Sequence, residues 1–267
     1  MCLTILGIDL AKNVFQLHGT DARGRAVFSR RVKRSQLLDA VASLPPCVIG
    51  MEACGSAHHW GRAFEQLGHT VKLMSPKYVR PYVKTNKNDG RDAEAICEAV
   101  SRPTMRFVSI KTVEQADRQA LHRTRSLFVK HRTAVINQIR GLLAEYGLVI
   151  AQSPEKVQPA LVRFLDDAES GLTAFARETF FELYEQLRDL ASRIERVTHR
   201  VDCVYRAHPV CRKLAAVPGI GPLTATALLA TVGRPQVFHN GRHLAAWLGL
   251  VPRQYSSGGK ERLGGIS

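Results

Sequence analysis

Apolar and polar residues alternate differently along the chain, and the change separates a strand-rich beginning from a helical remainder. Three short apolar or alternating segments, residues 3–10, 13–20 and 24–32, follow one another with turn-like connections such as Thr-Asp-Ala-Arg-Gly. Strands joined by connections this short form an antiparallel meander. The sequence therefore predicts three consecutive antiparallel strands.

The next segments alternate between helical and extended patterns. Residues 34–44 and 57–68 carry apolar positions at helical spacing, whereas residues 45–53 and 69–75 are short apolar strands, and a further helix follows. Helices between strands imply parallel crossovers, so the first hundred residues predict an α/β mixed sheet of the ribonuclease H-like order. In that order the first and fourth strands are parallel neighbours about 5 Å apart.

Beyond residue 112 the pattern is helical. Residues 112–148 predict one long amphipathic helix, and residues 172–207 predict a second with apolar positions three and four apart. We expect the two helices to pack as a coiled coil, either antiparallel or between chains. The proline-containing segment 149–167 between them is the predicted hinge.

The last part of the chain predicts a mainly α C-terminal domain. Pro218-Gly219-Ile220-Gly221 predicts a tight turn between two helices. Gly219 and Gly221 would let backbone N–H groups approach a phosphate, as in a helix-hairpin-helix DNA contact, although a purely structural helical hairpin has the same pattern. The expected domains are a catalytic sheet at 1–105, a helical linker region at 106–208 and a C-terminal domain at 209–267.

Composition adds a strong charge to this picture. The 267 residues carry 38 Lys and Arg against 23 Asp and Glu, a formal charge of +15 with a sequence pI of about 10.0, which indicates a polyanionic partner. Two basic concentrations, residues 72–91 and 118–140, are either solvated surfaces or phosphate-binding ones. The candidate contacts there are Lys77, Arg80, Lys84, Lys87, Arg118, Arg123, Arg125, Lys130, Arg132 and Arg140.

The location predicted by the sequence is cytoplasmic. The sequence has neither an apolar run of bilayer length nor a signal-peptide pattern, so we expect no membrane association. Its six cysteines have no CxxC spacing, which favours reduced thiols. Two looser groupings lack four ligands at structural-zinc spacing, namely Cys54 with His58 and His59, and Cys203 with His208 and Cys211.

Four carboxylates are candidates for metal binding. Asp9 closes the first predicted strand and Glu52 closes the fourth, while Asp89 and Asp92 lie three apart at the entry to a helix. Two acids at adjacent strand ends repel each other unless a cation lies between them, and hard oxygen ligands suit Mg²⁺ or Mn²⁺. Each acid also has a structural interpretation: Asp89 as a turn residue, Asp92 as a helix cap and Glu52 as a surface residue.

The combined motifs resemble a known family. "GIDLAKN", "MEACGSAHHW" and "KNDGRDAEAI" are followed, after a helical middle, by "VPGIGPLTATALLATVG", "LAAWLGLVPRQYSSGGK" and "GGIS". These segments, in this order and over essentially the whole chain, resemble the DEDD insertion-sequence transposases related to the Piv invertase, which are bridge-RNA-guided recombinases.

The resemblance implies a chemistry and a set of partners. It implies that Asp9, Glu52, Asp89 and Asp92 hold Mg²⁺, and that Ser257, or else Ser256, attacks a DNA phosphate and forms a covalent phosphoserine link. Arg253 and Lys260 flank the serine and could neutralise the phosphate. Donor and target double-stranded DNA, a structured guide RNA and a homodimer or homotetramer are the implied partners. Family members normally continue beyond "GGIS" with a basic helical tail, so the C-terminal domain ending at Ser267 is expected to be truncated.

Three other functions fit parts of the sequence. A metal-dependent nuclease of the Holliday-junction type needs the four acids and no serine. An actin-like kinase or ATPase also begins with a Gly-Ile-Asp-Leu strand, but it requires a second Gly-rich phosphate loop, and the sequence has none before residue 218. A non-catalytic nucleic-acid-binding module would carry the acids as surface charges.

Overall fold

The computed structural model describes residues 3–83, 89–233 and 235–266, with the backbone alone for Asp89. Lys84 and Lys87, two of the candidate phosphate contacts, lie outside the described residues. The chain forms two compact units, one of Met1–Lys111 with Val232–Ser267 and one of Thr112–Thr231. The expected division at residues 105 and 208 stays a prediction.

A six-stranded mixed sheet organises the first unit, in the order β3-β2-β1-β4-β5-β6. Strands β1, β2 and β3 form the predicted antiparallel meander, and β4 and β5 join it in parallel, which confirms that the first and fourth strands are parallel neighbours. The short β6 pairs antiparallel with β5 and was not predicted, because two residues show no periodicity. The strands are β1 (Ile5–Asp9), β2 (Val14–Thr20), β3 (Ala26–Lys33), β4 (Val48–Glu52), β5 (Thr70–Met74) and β6 (Phe107–Val108).

Helices cover both faces of this sheet. One face buries Leu6, Ile8 and Phe15 against α1 (Leu37–Ala42) and α2 (Ala57–Gln66). On the other face, α3 (Pro76–Val79) and α4 (Asp89–Val100) contribute Val79, Ala95, Ile96, Ala99 and Val100 to a second core cluster. The sheet is hydrophobic on both sides because its crossover connections place a helix on each face.

The second unit is helical. The long helices α5 (Val113–Ala144) and α7 (Ala174–Ala207) match the two predicted helices, and they pack antiparallel within the chain. Arg125 Nε donates to Thr198 Oγ1 at 2.8 Å near one end of the pair, and the Tyr146 and Phe180 rings meet at 6.0 Å near the other. Shorter helices complete the unit: α6 (Val157–Asp166), α8 (Pro209–Leu214) and α9 (Pro222–Thr231).

The prediction of a hinge at 149–167 is wrong. Most of that segment is α6, whose Val157, Leu161 and Phe164 are buried in the core shared with α5 and α7. The loop after α6 is held by Arg177, which donates to the carbonyl oxygen of Asp167 at 2.7 Å. Prolines lie before and inside α6, yet apolar residues spaced by four and three dominate the packing.

The C-terminal part combines helix and strand. Helix α10 (Gly241–Trp247) is followed by an antiparallel hairpin of β7 (Pro252–Ser257) and β8 (Lys260–Ile266), which the sequence interpretation did not include. Gly258 and Gly259 form its two-residue turn with φ of 57° and 77°. A hairpin turn of this length with two positive φ values favours glycine at both positions.

Along the described residues, every helix is too short or too polar to cross a lipid bilayer.

Candidate active site and nucleic-acid surfaces

Asp9 and Glu52 lie at neighbouring strand ends. The parallel register of β1 and β4 runs from Ile5 opposite Val48 to Ile8 opposite Met51, so one further step sets Asp9 beside Glu52. Side chains alternate along a strand, which puts Asp9 on the face of Gly7 and Glu52 on the face of Gly50. Both acids therefore project on the face that α4 covers.

Two glycines bring α4 close to these strands. A Cβ on Gly7 would lie 3.0 Å from Cys97 N and even nearer Ala93 O, and a Cβ on Gly50 would lie 3.0 Å from Val100 Cβ. The Cys97 thiol donates to His18 O at 2.9 Å across the same contact, and burial is the main cause that raises its pKa to about 12. The thiol is therefore a neutral packing group that fixes α4 against the sheet.

The direction of α4 brings its first turn to the two acids. The Cys97 thiol faces Ile5 O near the beginning of β1, whereas Ala93, one turn earlier in α4, faces Gly7 further along the strand. Helix and strand therefore run antiparallel. The step from Gly7 to Asp9 along β1 is about 6.6 Å, and the step from Ala93 back to Asp89 along α4 is about 6 Å. Asp9 therefore lies level with the first turn of α4, which begins at Asp89. Asp92 is part-exposed in that turn.

The pKa of the Cys54 thiol reflects the negative charge of Asp9 and Glu52. Burial raises the pKa of its thiol, and the negative charges of Glu52 and then Asp9 raise it further. Both carboxylates thus act on one thiol just beyond the end of β4. Sequence reasoning considered Cys54 only with His58 and His59 as a zinc grouping and not beside the two acids, although its position directly after "MEA" was a usable signal.

The fit of a cation rests on the donor set. Hard carboxylate oxygens from Asp9 and Glu52, with Asp92 on the adjoining helix, are the ligands that Mg²⁺ and Mn²⁺ prefer. The side chain of Asp89 is not among the described ones. Within the described side chains, no three His, Cys, Asp or Glu residues form a group that could hold a metal ion. The four-acid site stays a prediction.

The two candidate serines point to opposite faces of the β7–β8 hairpin. Ser257 pairs with Lys260 and Tyr255 pairs with Arg262, which gives Ser257 a cationic face. Ser256 pairs with Glu261, and its hydroxyl accepts a hydrogen bond from Gln254 Nε2 at 2.9 Å. Arg253 and Lys260 are both exposed, and the nucleophile stays a prediction.

The candidate phosphate contacts differ in how free they are. Lys77 and Arg80 are exposed around α3, and Arg123 and Lys130 line an open cleft of about 410 Å³ between α5 and α9. In that cleft His122 Nε2 lies 3.0 Å from Thr226 Oγ1, and burial lowers the pKa of His122.

Two other cations of α5, Arg125 and Arg140, form hydrogen bonds within the protein. Arg125 donates to Thr198, and Arg140 donates to the carbonyl oxygens of Ala151 and Ser153 at 2.6 Å and 3.1 Å. Arg118 and Arg132 are half-buried. Four of the six predicted cations on α5 are therefore half-buried, and two of these four hydrogen-bond within the protein, which a count of charges cannot reveal.

The glycine turn adopts the predicted local geometry. Gly219 has φ of 86°, and Ile220 N donates to Val217 O at 3.0 Å, so the segment from Pro218 to Gly221 turns tightly between α8 and α9. Its use as a helix-hairpin-helix DNA contact stays a prediction.

Two family models match the chain. One, described as "Transposase IS116/IS110/IS902 family", matches residues 211–267, and the other, an IS110-type DEDD model described as "Transposase", matches residues 6–148. A "Probable family 20 transposase" of Pseudomonas aeruginosa is 47% identical over 100% of this chain and 79% of its own length. The transposase for insertion sequence element IS1111A of Coxiella burnetii is 48% identical over 99% of this chain and 73% of its own length.

These similarities define the class as insertion-sequence transposases, which are enzymes that cut and rejoin DNA. The chain belongs to the IS116/IS110/IS902 family of transposases. Among solved structures, a T. thermophilus RuvC chain in complex with a Holliday junction substrate aligns at a TM-score of 0.31 and 13% identity, over 40% of this chain and 100% of that one.

Proposed function

We propose that this transposase cuts DNA with a serine nucleophile that works beside a divalent cation held by the acids of a ribonuclease H-like sheet. The observation that carries the proposal is the meeting of three element ends: the carboxyl ends of β1 and β4 and the first turn of α4. The strand order, with an antiparallel meander before two parallel strands, supports the ribonuclease H-like assignment.

Asp9, Glu52, Asp89 and Asp92 are the proposed ligands of Mg²⁺ or Mn²⁺. The ion would act as a Lewis acid that lowers the pKa of a bound hydroxyl and stabilises charge on a phosphate oxygen. The acids would hold the ion where β1, β4 and the first turn of α4 meet, and this is supported by Gly7 and Gly50, which let α4 approach both strands on the face of the acids.

Ser257 is the proposed nucleophile. Its Oγ loses its proton and forms a bond to phosphorus while the bond from phosphorus to a sugar oxygen breaks, and the leaving sugar oxygen gains a proton in balance to become a hydroxyl. The phosphoserine ester conserves the energy of the broken bond, so the reverse attack rejoins DNA without ATP. Lys260, opposite Ser257, and the exposed Arg253 would neutralise the phosphate. The opposing Glu261 and the hydrogen bond from Gln254 argue against Ser256.

A structured guide RNA and a homodimer or homotetramer complete the proposal. Their support is the resemblance to the bridge-RNA-guided recombinases and the net charge of +15, which favours polyanion binding. Strand exchange requires two duplexes to be cut in a coordinated way, which is naturally achieved by a symmetric oligomer.

A covalent protein–DNA adduct tests the chemistry. The full chain, with its guide RNA and Mg²⁺, is incubated with a nicked duplex that carries the element end, and the adduct is mapped by mass spectrometry. We expect an adduct at residue 257 that Ser257→Ala abolishes and that Asp9→Asn reduces by at least about a thousandfold. The matched control Ser256→Ala should retain the adduct.

Two results would contradict the proposal. If Ser257→Ala still releases free 5′-phosphate ends and no adduct forms with the wild-type chain, the enzyme hydrolyses DNA as a metal-dependent nuclease does. If Asp9→Asn reacts at the wild-type rate, the acids do not participate in the reaction.

A further inference from the structure

The edge strand β3 ends in a run of exposed cations that lies outside both basic concentrations noted in the sequence. Arg30, Arg31, Lys33 and Arg34 lie within five consecutive positions, and all four are exposed. Among the described residues none of the four is ion-paired to a carboxylate. Their charges are therefore available to an external anion.

The strand register aligns part of this run with the acid site. Asp9 lies opposite Gln16, and Gln16 lies opposite Arg31, so these three residues form one row across β1, β2 and β3. Directly opposed residues project on the same face of a sheet, which puts Arg31 on the face of Asp9. Two strand spacings separate their backbones, about 10 Å.

Lys33 continues the same face toward the outer corner of the sheet. It lies opposite Val14, two residues beyond Arg31 along the edge strand. The next cation, Arg34, lies on the opposite face. Its guanidinium donates to Lys12 O at 3.4 Å and lies 5.9 Å and 5.3 Å from the centres of the Phe15 and Trp60 rings, which pack on the face of Ile8.

A cleft of about 620 Å³ adjoins this corner. Lys33, Arg34, His59, Trp60 and Asn13 are among its lining residues, and none of the residues that line it is acidic. Cationic side chains without carboxylates suit a nucleic-acid backbone, because they bind its phosphates. Trp60 itself is 6% exposed and belongs to the core.

We propose that Arg31 and Lys33, the cationic edge, bind the backbone phosphates of the DNA strand and lead it across β3 and β2 to the acids on β1 and β4. This inference rests on the proposed active site, since the acids give the track its end point. Its cations act as positioning residues that hold the strand in register and read no sequence.

Arg30 provides a matched control within the same strand. It lies opposite Leu17, so it projects on the other face of the sheet, away from Asp9. Arg30 and Arg31 are adjacent and exposed and carry the same charge, and they differ in the face they occupy. A general effect of net charge would be equal for the two positions.

DNA binding of the full chain tests the cationic edge without any cleavage. Fluorescence anisotropy with a labelled duplex of the element end is measured in EDTA for Arg31→Gln, Lys33→Gln, the double variant and Arg30→Gln. We expect the double variant to raise the Kd by about tenfold or more at 0.1 M salt and to reduce the slope of log Kd against log salt by about 1.8, that is, by about 0.9 per lost phosphate contact. Arg30→Gln should stay within about twofold of wild type.

Equal effects of Arg30→Gln and Arg31→Gln would overturn the proposal, and so would a loss of affinity confined to a structured RNA probe measured in parallel. Thermal unfolding of each variant checks folding, and a photo-crosslinker at position 31 against one at position 30 gives an independent measurement, with DNA expected to attach at 31. The active-site proposal fails separately, because Asp9→Asn cleavage is measured in Mg²⁺ whereas this binding needs no metal.

Discussion

Gly7 and Gly50 set the distance between α4 and the two strands that carry Asp9 and Glu52. They are paired with each other in the parallel register, and at both positions α4 lies so close that a methyl group would not fit without a shift. Neither has the positive φ that would explain glycine by backbone conformation. Close packing of a helix on the sheet is therefore the reason for glycine at these positions.

Replacing Gly7 by alanine is expected to destabilise the fold and displace the first turn of α4. The new Cβ would overlap Ala93 O and lie 3.0 Å from Cys97 N, and backbone atoms cannot rotate aside. Overpacking of this kind costs about 3 kcal/mol. Urea unfolding measures the loss, with Gly141→Ala as the control: this helical glycine has open space around it, and alanine there should stabilise by about 0.5–1 kcal/mol. Similar values for the two variants would show that α4 does not pack tightly on Gly7.

His58 links α2 to the residue at which the first unit ends. Its Nδ1 accepts a hydrogen bond from Lys111 N at 3.2 Å, and Arg62 donates to Lys111 O at 2.6 Å. Burial, with smaller contributions from the charges of Lys111 and Arg62, lowers the pKa of His58 to about 4. The ring is thus neutral in the folded protein at ordinary pH, as an acceptor must be.

The stability of the protein should therefore fall as the pH is lowered from about 6.5 toward 4. In that window the unfolded chain binds a proton at His58 and the folded chain does not, so the stabilisation is complete above the unfolded pKa and is lost below it. After allowance for solvent screening we expect a loss of about 1–2 kcal/mol. Urea unfolding at pH 7 and pH 4.5 should show a smaller difference for His58→Gln than for wild type. The exposed His59→Gln is the control, and an unchanged difference in His58→Gln would contradict the assignment.

At the scale of elements, the sequence predicted what depends on local pattern. Strands β1 to β5 and helices α2, α5 and α7 follow from alternation, helical spacing and end signals such as Gly68, which has φ of 88°. The pairing of β1 with β4 followed from the order of strands and helices. The sequence alone thus placed Asp9 and Glu52 at the ends of neighbouring parallel strands.

What the sequence did not predict depends on contacts between distant residues. Helix α6 looked like a hinge because its prolines are visible in the sequence, whereas the core that receives Leu161 is not. The register that joins Arg31 to Asp9 through Gln16 requires two strand pairings to be known together. Lys130 lines an open cleft, whereas Arg140 donates a hydrogen bond to Ala151 O. This difference depends on segments that approach α5 from elsewhere in the chain.

At the scale of the whole molecule, the chain leaves the first unit after Lys111 and returns to it at Val232. The second unit is therefore continuous, and its helices share one core that α9 completes. Ala225, Thr226 and Ala230 of α9 are almost fully buried, and the contact of Thr226 with His122 ties α9 to α5. The predicted boundary at residue 208 would cut α8 and α9 away from the helices they pack against.

The fragment 112–231 should consequently fold alone, whereas 106–208 should not fold to the same stability. Removing α8 and α9 exposes the side of α5 that packs on them, and each large apolar group left in water costs about 1.5–3 kcal/mol. Circular dichroism with thermal unfolding measures both fragments, and we expect one cooperative transition for 112–231 and a broader transition at lower temperature for 106–208. If 106–208 melts as sharply and at the same temperature, α9 is an appendage, and the division at residue 208 is the physical one. A cooperative 112–231 would instead mean that the long helices fold as an independently stable unit, encoded between the two chain segments 1–111 and 232–267 that form the first unit.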